Sequence, residues 1–246
     1  LTFTGMRFIL SGDFNQFPPL GNSFRGAPVS ETAFQQSTLL HTLCSGNVVL
    51  LTTCMRSDSS LFSFYSSLIA GGSRFELSLQ EIVQAAKAQF TFTGAAQWNL
   101  VISHQRRIRI NKTNNEREAP PDAVRLEVSG KASGGNGAQT MLLFPGILLV
   151  GCGCSEKKGI RNGCLYTVTS VADDLVQLEG LEASFTYDQT KQWLRLAYAQ
   201  TYASCQGSEF NGPLLLWDVS HRFFTRRHCF VGLSRAKNGA FVGLKD

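Results

Sequence analysis

Short apolar runs that stop abruptly on glycine or a polar residue recur along this chain, with helix-length stretches between them. "RFILSG" (7–12), "NVVLLTTCMR" (47–56), "WNLVISH" (98–104) and "GPLLLWDVS" (212–220) each have the length and bounding residues of a buried strand. "SLFSFYSSLIAGG" instead spaces Leu61, Phe64, Tyr65 and Leu68 at helical intervals and stops at Gly71-Gly72, and a second periodic helix is expected near 31–44. Strands alternating with helices predict α/β layers around a parallel sheet.

Residues 145–187 break that rhythm. "GILLVG", "CLYTVTSV", "LVQLEG" and "SFTYD" are short β-rich pieces separated by Gly, Asn and Asp turns, which predicts a small antiparallel meander or barrel inside the α/β unit. "SGKASGGNG" (129–137) reads as a flexible loop. The α/β rhythm returns with helix-like "QWLRLAYAQTYASCQG" (192–207), a helix or turn at "HRFFTRRH" (221–228), and a strand-like run in "CFVGLSRAKNGAFVGL" (229–244).

Composition excludes several classes. At 246 residues and 43% hydrophobic, the chain buries a sizeable core in one large or two modest domains. The longest apolar stretch, "MLLFPGILLVG" (141–151), is too short for a bilayer and is broken by Pro145 and Gly146, so no membrane partner is expected. Leu1 is not an initiator and "LTFTGMRFIL" has no signal-peptide pattern, which suggests a segment of something longer. Seven cysteines (Cys44, Cys54, Cys152, Cys154, Cys164, Cys205, Cys229), an odd number in apolar surroundings, fit a reduced intracellular protein with buried thiols. "CGC" with Cys164 has no fourth ligand, so no metal is assigned there. A net charge of +5 permits a polyanionic partner, and the position of the charge matters more than its sum.

Four stretches carry candidate chemistry. "GDFNQFPP" places Asp13 and Gln16 at a strand's C-terminal tip, where open α/β sheets bind ligands; a glutamine there can orient water or sense a phosphate, or the stretch is a solvated turn. Arg56 ends the run "LLTTCMR" and by itself reads as a surface arginine. In "AYAQTYASCQGSEF" (197–210), small residues admit close approach of a phosphate or nucleic-acid backbone, or simply pack a helix against its glycine cap. "FVGLSRAK" places Arg235 where a fixed arginine can reach a phosphate across a cleft. Two further segments concentrate positive charge. "SHQRRIRINKTNNER" (103–117) has five basic residues and one acidic, the pattern of a nucleic-acid groove or of a solvated helix face. "HRFFTRRH" sets three arginines beside Phe223 and Phe224, which stack on bases or fill core.

In this order the four stretches resemble motifs III ("GDFNQFPP"), IV ("LTTCMRS"), V ("TYASCQGSEF") and VI ("FVGLSRAK") of superfamily 1 helicases, above all the RecD-like and Pif-like DNA helicases. "KKGIRNGCLYTVTSV" (157–171) resembles the entry to that branch's small SH3-like insertion. The resemblance implies a RecA-like lobe of the P-loop NTPase class with an SH3-like β-barrel insertion. It divides the chain into a remnant of the first RecA-like lobe (1–46) and a second lobe (47–246) with its insert near 145–190. It assigns γ-phosphate sensing to Gln16, with Asp13 supporting that loop, and arginines reaching the γ-phosphate to Arg56 and Arg235. Gly207 and Glu209 would lie by the nucleotide, and Thr201 and Ser204 by the DNA backbone. From the charge of 103–117 rather than from the resemblance, Arg106, Arg107 and Arg109 are expected to track single-stranded DNA.

The implied cofactors are ATP and Mg²⁺ and the implied partner is single-stranded or forked DNA, but the usual cradle is not in this sequence. A phosphate loop needs Gly-x4-Gly-Lys-[Ser/Thr]. The pair Gly130-Lys131 has Arg125 where the first Gly should stand and Ala132 where the hydroxyl should be. The Asp-Glu pair that holds Mg²⁺ is expected upstream, in an N-terminal RecA-like lobe that is missing here; "FILSGD" (Asp13) and "LLLWD" (Asp218) lack the following Glu, and Asp218 reads as a strand-end residue. Motif V also departs from the family's Thr-x-His-Lys-Ser-Gln-Gly, since Ala203, Ser204 and Cys205 replace the basic pair and serine. The segment alone is therefore expected to lack ATPase activity. A viral-type superfamily 1 RNA helicase and a non-catalytic nucleic-acid-binding module stay open beside the DNA helicase reading.

Overall fold

The computed structural model describes residues 9–18, 23–24, 27–30, 33, 36–128 and 139–246, which leaves the whole 129–137 loop, with Gly130-Lys131, outside the described residues. The chain divides into two compact units, Leu1–Arg56 and Ser57–Asp246, a boundary later than the one after residue 46 read from the sequence.

The first unit has little regular structure. β1 (Ser23–Phe24) and β2 (Ala27–Pro28) form a two-residue antiparallel pair. α1 (Thr38–Leu43) starts where the Ser37 hydroxyl accepts the Leu40 N–H at 3.4 Å. The strands expected at 7–12 and 47–56 are not formed over their described residues: 9–13 and 47–54 lack regular structure, Ile9 is 97% exposed and Val48 to Leu51 are 78–88% exposed. The reason is pairing. A buried strand needs neighbours to take its N–H and C=O groups, and no described strand flanks either run.

The second unit is built on a four-stranded and a five-stranded sheet, with a separate two-stranded antiparallel pair at 124–126 and 141–143. Its elements in chain order are α2 (Ser59–Ser66), α3 (Leu79–Gln89), β3 (Trp98–Val101), α4 (His104–Glu118), β4 (Val124–Leu126), β5 (Met141–Leu143), β6 (Leu148–Gly151) and β7 (Leu165–Ala172). There follow β8 (Leu175–Leu178), β9 (Phe185–Thr186), α5 (Tyr187–Trp193), β10 (Leu194–Leu196), β11 (Ala199–Thr201), β12 (Leu214–Leu216), α6 (Arg226–Leu233) and β13 (Val242–Leu244). The α/β expectation holds here: β11, β3, β12 and β13 make a four-stranded parallel sheet in that order. All four residues of β3 are buried, as a strand covered by helices on both faces must be. α4 packs on β3 and β11, while α2 and α3 pack on α6 through edge-to-face pairs such as Tyr65–Phe230.

Sequence-local chemistry sets several ends. Ser78 and Glu81 form a reciprocal capping box that starts α3, a helix the sequence reading passed over. The Ser103 hydroxyl accepts the Arg106 N–H at 3.1 Å, turning the chain from β3 directly into α4.

The β-rich pieces also form as expected. β10, β6, β7, β8 and β9 pair antiparallel in that order, and a register shift between Val168 and Ser170 bends β7 so that both its halves serve one core. Leu149, Val168, Val176, Phe185 and Leu194 lie in that core. The sheet runs from 148 to 196, past the expected end near 190, because β10 pairs with β6.

Two local readings need correction. Residues 192–207 are not one helix: α5 ends at Trp193, and Leu194–Leu196 and Ala199–Thr201 are fully buried strands. Residues 226–233 are a helix, not a strand, and only Val242–Leu244 extends. A continuously buried run shows no periodicity with which to tell the two apart.

Candidate nucleotide and nucleic-acid site

β11 delivers the candidate motif V residues at its C-terminal end. Thr201 and Ser204 close a tight local turn: the Thr201 N–H donates to the Ser204 hydroxyl at 3.1 Å, and the Ser204 N–H to the Thr201 hydroxyl at 3.2 Å. Tyr202 anchors the turn, its phenol donating to the Trp217 carbonyl at 2.8 Å beside the end of β12. Cys205 is wholly buried, and burial pushes its thiol up to about 12, so this residue is inert packing. Gly207 has φ +88, a conformation that favours glycine, and lets the loop turn back.

That loop is stitched to the segment after α6. The Phe210 N–H donates to the Arg235 carbonyl at 2.8 Å, Lys237 pairs with Glu209 at 2.7 Å, and the Arg235 guanidinium reaches the Ser208 carbonyl at 3.4 Å. Arg235 is 3% exposed and also donates to the Val231 carbonyl and, at 2.9 Å, to the Ser234 hydroxyl. A third segment joins them. The Ser57 hydroxyl donates to the Ala236 carbonyl at 2.8 Å, and the Asp58 N–H to the Lys237 carbonyl at 2.9 Å. One Asp58 carboxylate oxygen caps α2 at the Leu61 N–H, and the other accepts the Gly239 N–H at 2.6 Å. The residues following Arg56, the Gly207–Phe210 loop and Arg235–Lys237, far apart in sequence, thus share one hydrogen-bonded corner. Ser57, Asp58 and Lys237 were missed as part of this corner, although "MRSDS" and "SRAK" hold them next to residues already singled out.

In the first unit, Asp13 and Gln16 make one turn. Asp13 accepts the Asn15 N–H at 2.9 Å and the Gln16 side-chain amide at 3.2 Å, so both carboxylate oxygens serve their own loop. Arg56 is half-buried at the end of that unit.

The basic helix divides by residue. Arg109 is exposed. Arg106 pairs with Asp218 at 2.9 Å and lies over the Trp217 ring at 5.6 Å. Arg107 is 0% exposed, and burial, with Arg195 nearby, pushes its guanidinium down to about 10. It therefore does not face solvent as a groove residue would. Asp218, at the end of β12 with φ +66, also accepts the Ile102 N–H at 2.8 Å, so it locks the β3–α4 junction. The two phenylalanines separate as well: Phe224 is 2% exposed against Tyr202 and His228, while Phe223 is 58% exposed.

Arg235 lies in this corner of the second unit, while Gln16 and Arg56 belong to the first. Among the described residues no group of three His, Cys, Asp or Glu side chains is placed to hold a metal ion, so these residues do not fit Mg²⁺. No described helix is long and apolar enough to cross a membrane.

No protein-family model matches the chain, and no curated protein matches it in sequence. Solved structures do match. The Pif1 helicase from Bacteroides in complex with ADP-AlF3 and ssDNA superposes with a TM-score of 0.57 at 16% identity, over 95% of this chain and 60% of that one. Pif1 helicase from Candida albicans gives 0.55 at 14% identity, over 96% and 63%. A structure of two coordinating Pif1 helicases unwinding forked dsDNA gives 0.56 at 14% identity, over 78% and 48%. The chain spans about half to three-fifths of the length of these proteins. At such identities the likeness is one of fold, and the fold of this chain is that of the C-terminal portion of a Pif1-like helicase.

Proposed function

We propose that this chain is the C-terminal part of an ATP-dependent DNA helicase, one that couples ATP hydrolysis to movement along single-stranded DNA and to duplex unwinding. The observation that supports the reading is the shared corner of the second unit: Ser57 bonded to Ala236, Phe210 to Arg235 and Glu209 to Lys237 bring Ser57, which follows Arg56, together with the candidate motifs V and VI. An isolated turn or surface arginine explains none of these long-range pairings. Arg56 and Arg235 would meet the γ-phosphate of an ATP cradled by an upstream RecA-like lobe, with Gln16 sensing the same phosphate. In meeting it, Arg235 would exchange its contact with the Ser208 carbonyl for a phosphate oxygen, a stronger charge-assisted bond. Thr201, Ser204 and Arg109 are the DNA-facing residues of the proposal. Mg²⁺ would be held by carboxylates of the upstream lobe, and the β6–β10 sheet would be the SH3-like insertion.

A second reading, a non-catalytic nucleic-acid-binding module, has one observation in its favour: uncharged Ala203 and Ser204 stand where the family carries its basic pair. The test that separates them uses the full-length protein. The helicase reading expects DNA-stimulated phosphate release and ATP-dependent separation of a forked duplex, and expects the 246-residue segment alone to release no phosphate above a protein-free control. A full-length protein that binds single-stranded DNA yet neither hydrolyses ATP nor unwinds is the module.

A further inference from the structure

The loop between β12 and α6 carries a feature that no motif assignment uses. From Ser220 through the first turn of α6 to His228, the chain holds three arginines, two histidines and no carboxylate. Phe224 pins this loop to the sheet, with its ring 5.7 Å from Tyr202 and 5.5 Å from His228. Its neighbour Phe223 points the other way and keeps more than half of its surface open. The exposed ring is nonetheless held. The Phe223 N–H donates to His221 Nδ1 at 3.2 Å, the His221 ring lies 5.4 Å away, and the Arg222 guanidinium covers the Phe223 ring at 4.6 Å.

Two observations say what such a ring is for. Tyr202 ties this loop to the Thr201–Ser204 turn, so the ring stands at the same edge of the parallel sheet as the proposed backbone contacts. Beside it opens a groove of about 460 Å³ with an apolar floor of Leu79 and Val83 and a rim of Gln80, Gln84, Lys87 and His221. A flat apolar surface beside amides and cations matches an unpaired nucleotide, which has a π-face, hydrogen-bonding edges and a phosphate. Lys87 is available to that phosphate, because its 3.0 Å pair with Asp246 is a solvent-exposed one and weakly held.

We propose that Arg222 and Phe223 form a stacking platform for one base of single-stranded DNA and that the adjacent groove receives the neighbouring nucleotide. This rests on the DNA-binding reading above and adds a contact of different physics. Backbone residues respond to phosphates, and the platform responds to the base.

The experiment measures fluorescence anisotropy of labelled oligodeoxythymidine with the 246-residue chain, beside an abasic oligonucleotide of equal length. Phe223→Ala should weaken oligothymidine binding by roughly 5- to 150-fold, the range of a lost base–aromatic stack, and leave abasic binding and the salt slope unchanged. Phe223→Trp should restore binding, and melting temperature should not move, since the side chain is exposed. Equal affinities of wild type and Phe223→Ala for oligothymidine overturn the platform and leave the DNA-binding reading standing. So does an equal loss on both oligonucleotides. A wild-type chain that binds neither oligonucleotide overturns both.

Discussion

Asp13 and Asp218 close two segments that read alike, "FILSGD" and "LLLWD", an apolar run ending in an aspartate. In the structure they have little in common. Asp218 is buried at the end of a strand with parallel neighbours on both sides, where it accepts the Ile102 N–H and pairs with Arg106. Asp13 is exposed, follows residues with no regular structure, and bonds only within its own turn among the contacts described above. An apolar run is a strand only where other strands complete its hydrogen bonds, and a polar residue at its tip is fixed only if the strand beneath it is.

The largest expected effect sharpens this comparison directly. Leu100→Ala opens the centre of the parallel sheet and should cost about 2–5 kcal/mol in denaturant unfolding, because Leu100 is wholly inaccessible. Leu50→Ala, in the exposed run, should change stability by no more than about 0.5 kcal/mol. Equal costs would mean that 47–54 packs in a sheet, and the comparison would break.

A smaller effect separates the aspartates. Asp218→Ala strips the half-buried Ile102 N–H of its acceptor and Arg106 of its ion pair, and should destabilise by about 1–3 kcal/mol. Asp13→Ala removes only exposed turn bonds and should fall within about 0.5 kcal/mol. Thermal melts of the two variants side by side decide it.

A third effect concerns pH. Burial, with Arg227 and His221 nearby, pushes His228 from 6.5 down to about 4, and its Nδ1 accepts the Thr225 N–H at the start of α6. The unfolded chain takes up this proton first, so the contribution to stability is fully present above about pH 6.5 and lost as pH falls through about 4. The wild type should lose stability over that window, and His228→Asn should lose less. Parallel acid profiles would show that His228 is not the group responsible.

Much of the second unit was legible in sequence because its signals are local. The turn residues around "CLYTVTSV" and "LVQLEG" mark β7 and β8, and the Ser103 cap marks the passage from β3 to α4. What escaped was set by tertiary context. β10 and β11 were read as helix because a run buried on all sides carries no periodicity, and the residues of α6 were read as a strand for the same reason. Arg107 looked like a groove residue because a sequence shows charge and not which helix face is covered. The order of the motif-like stretches was visible, but the Ser57–Ala236 and Glu209–Lys237 pairings that join them exist only once the sheet has formed.

Arg235 tests the central claim most directly. In the full-length protein at saturating single-stranded DNA, Arg235→Ala should lower the steady-state rate of ATP hydrolysis by two orders of magnitude or more, an expectation drawn from the roughly 10³–10⁵ that such arginines contribute. DNA affinity should stay near wild type. Because Arg235 is buried, Arg235→Lys is measured beside it: the stem and charge remain, the planar fork is lost, and turnover should still fall. Folded variants that hydrolyse ATP at the wild-type rate would contradict the assignment of this corner to nucleotide hydrolysis, and with it the helicase reading.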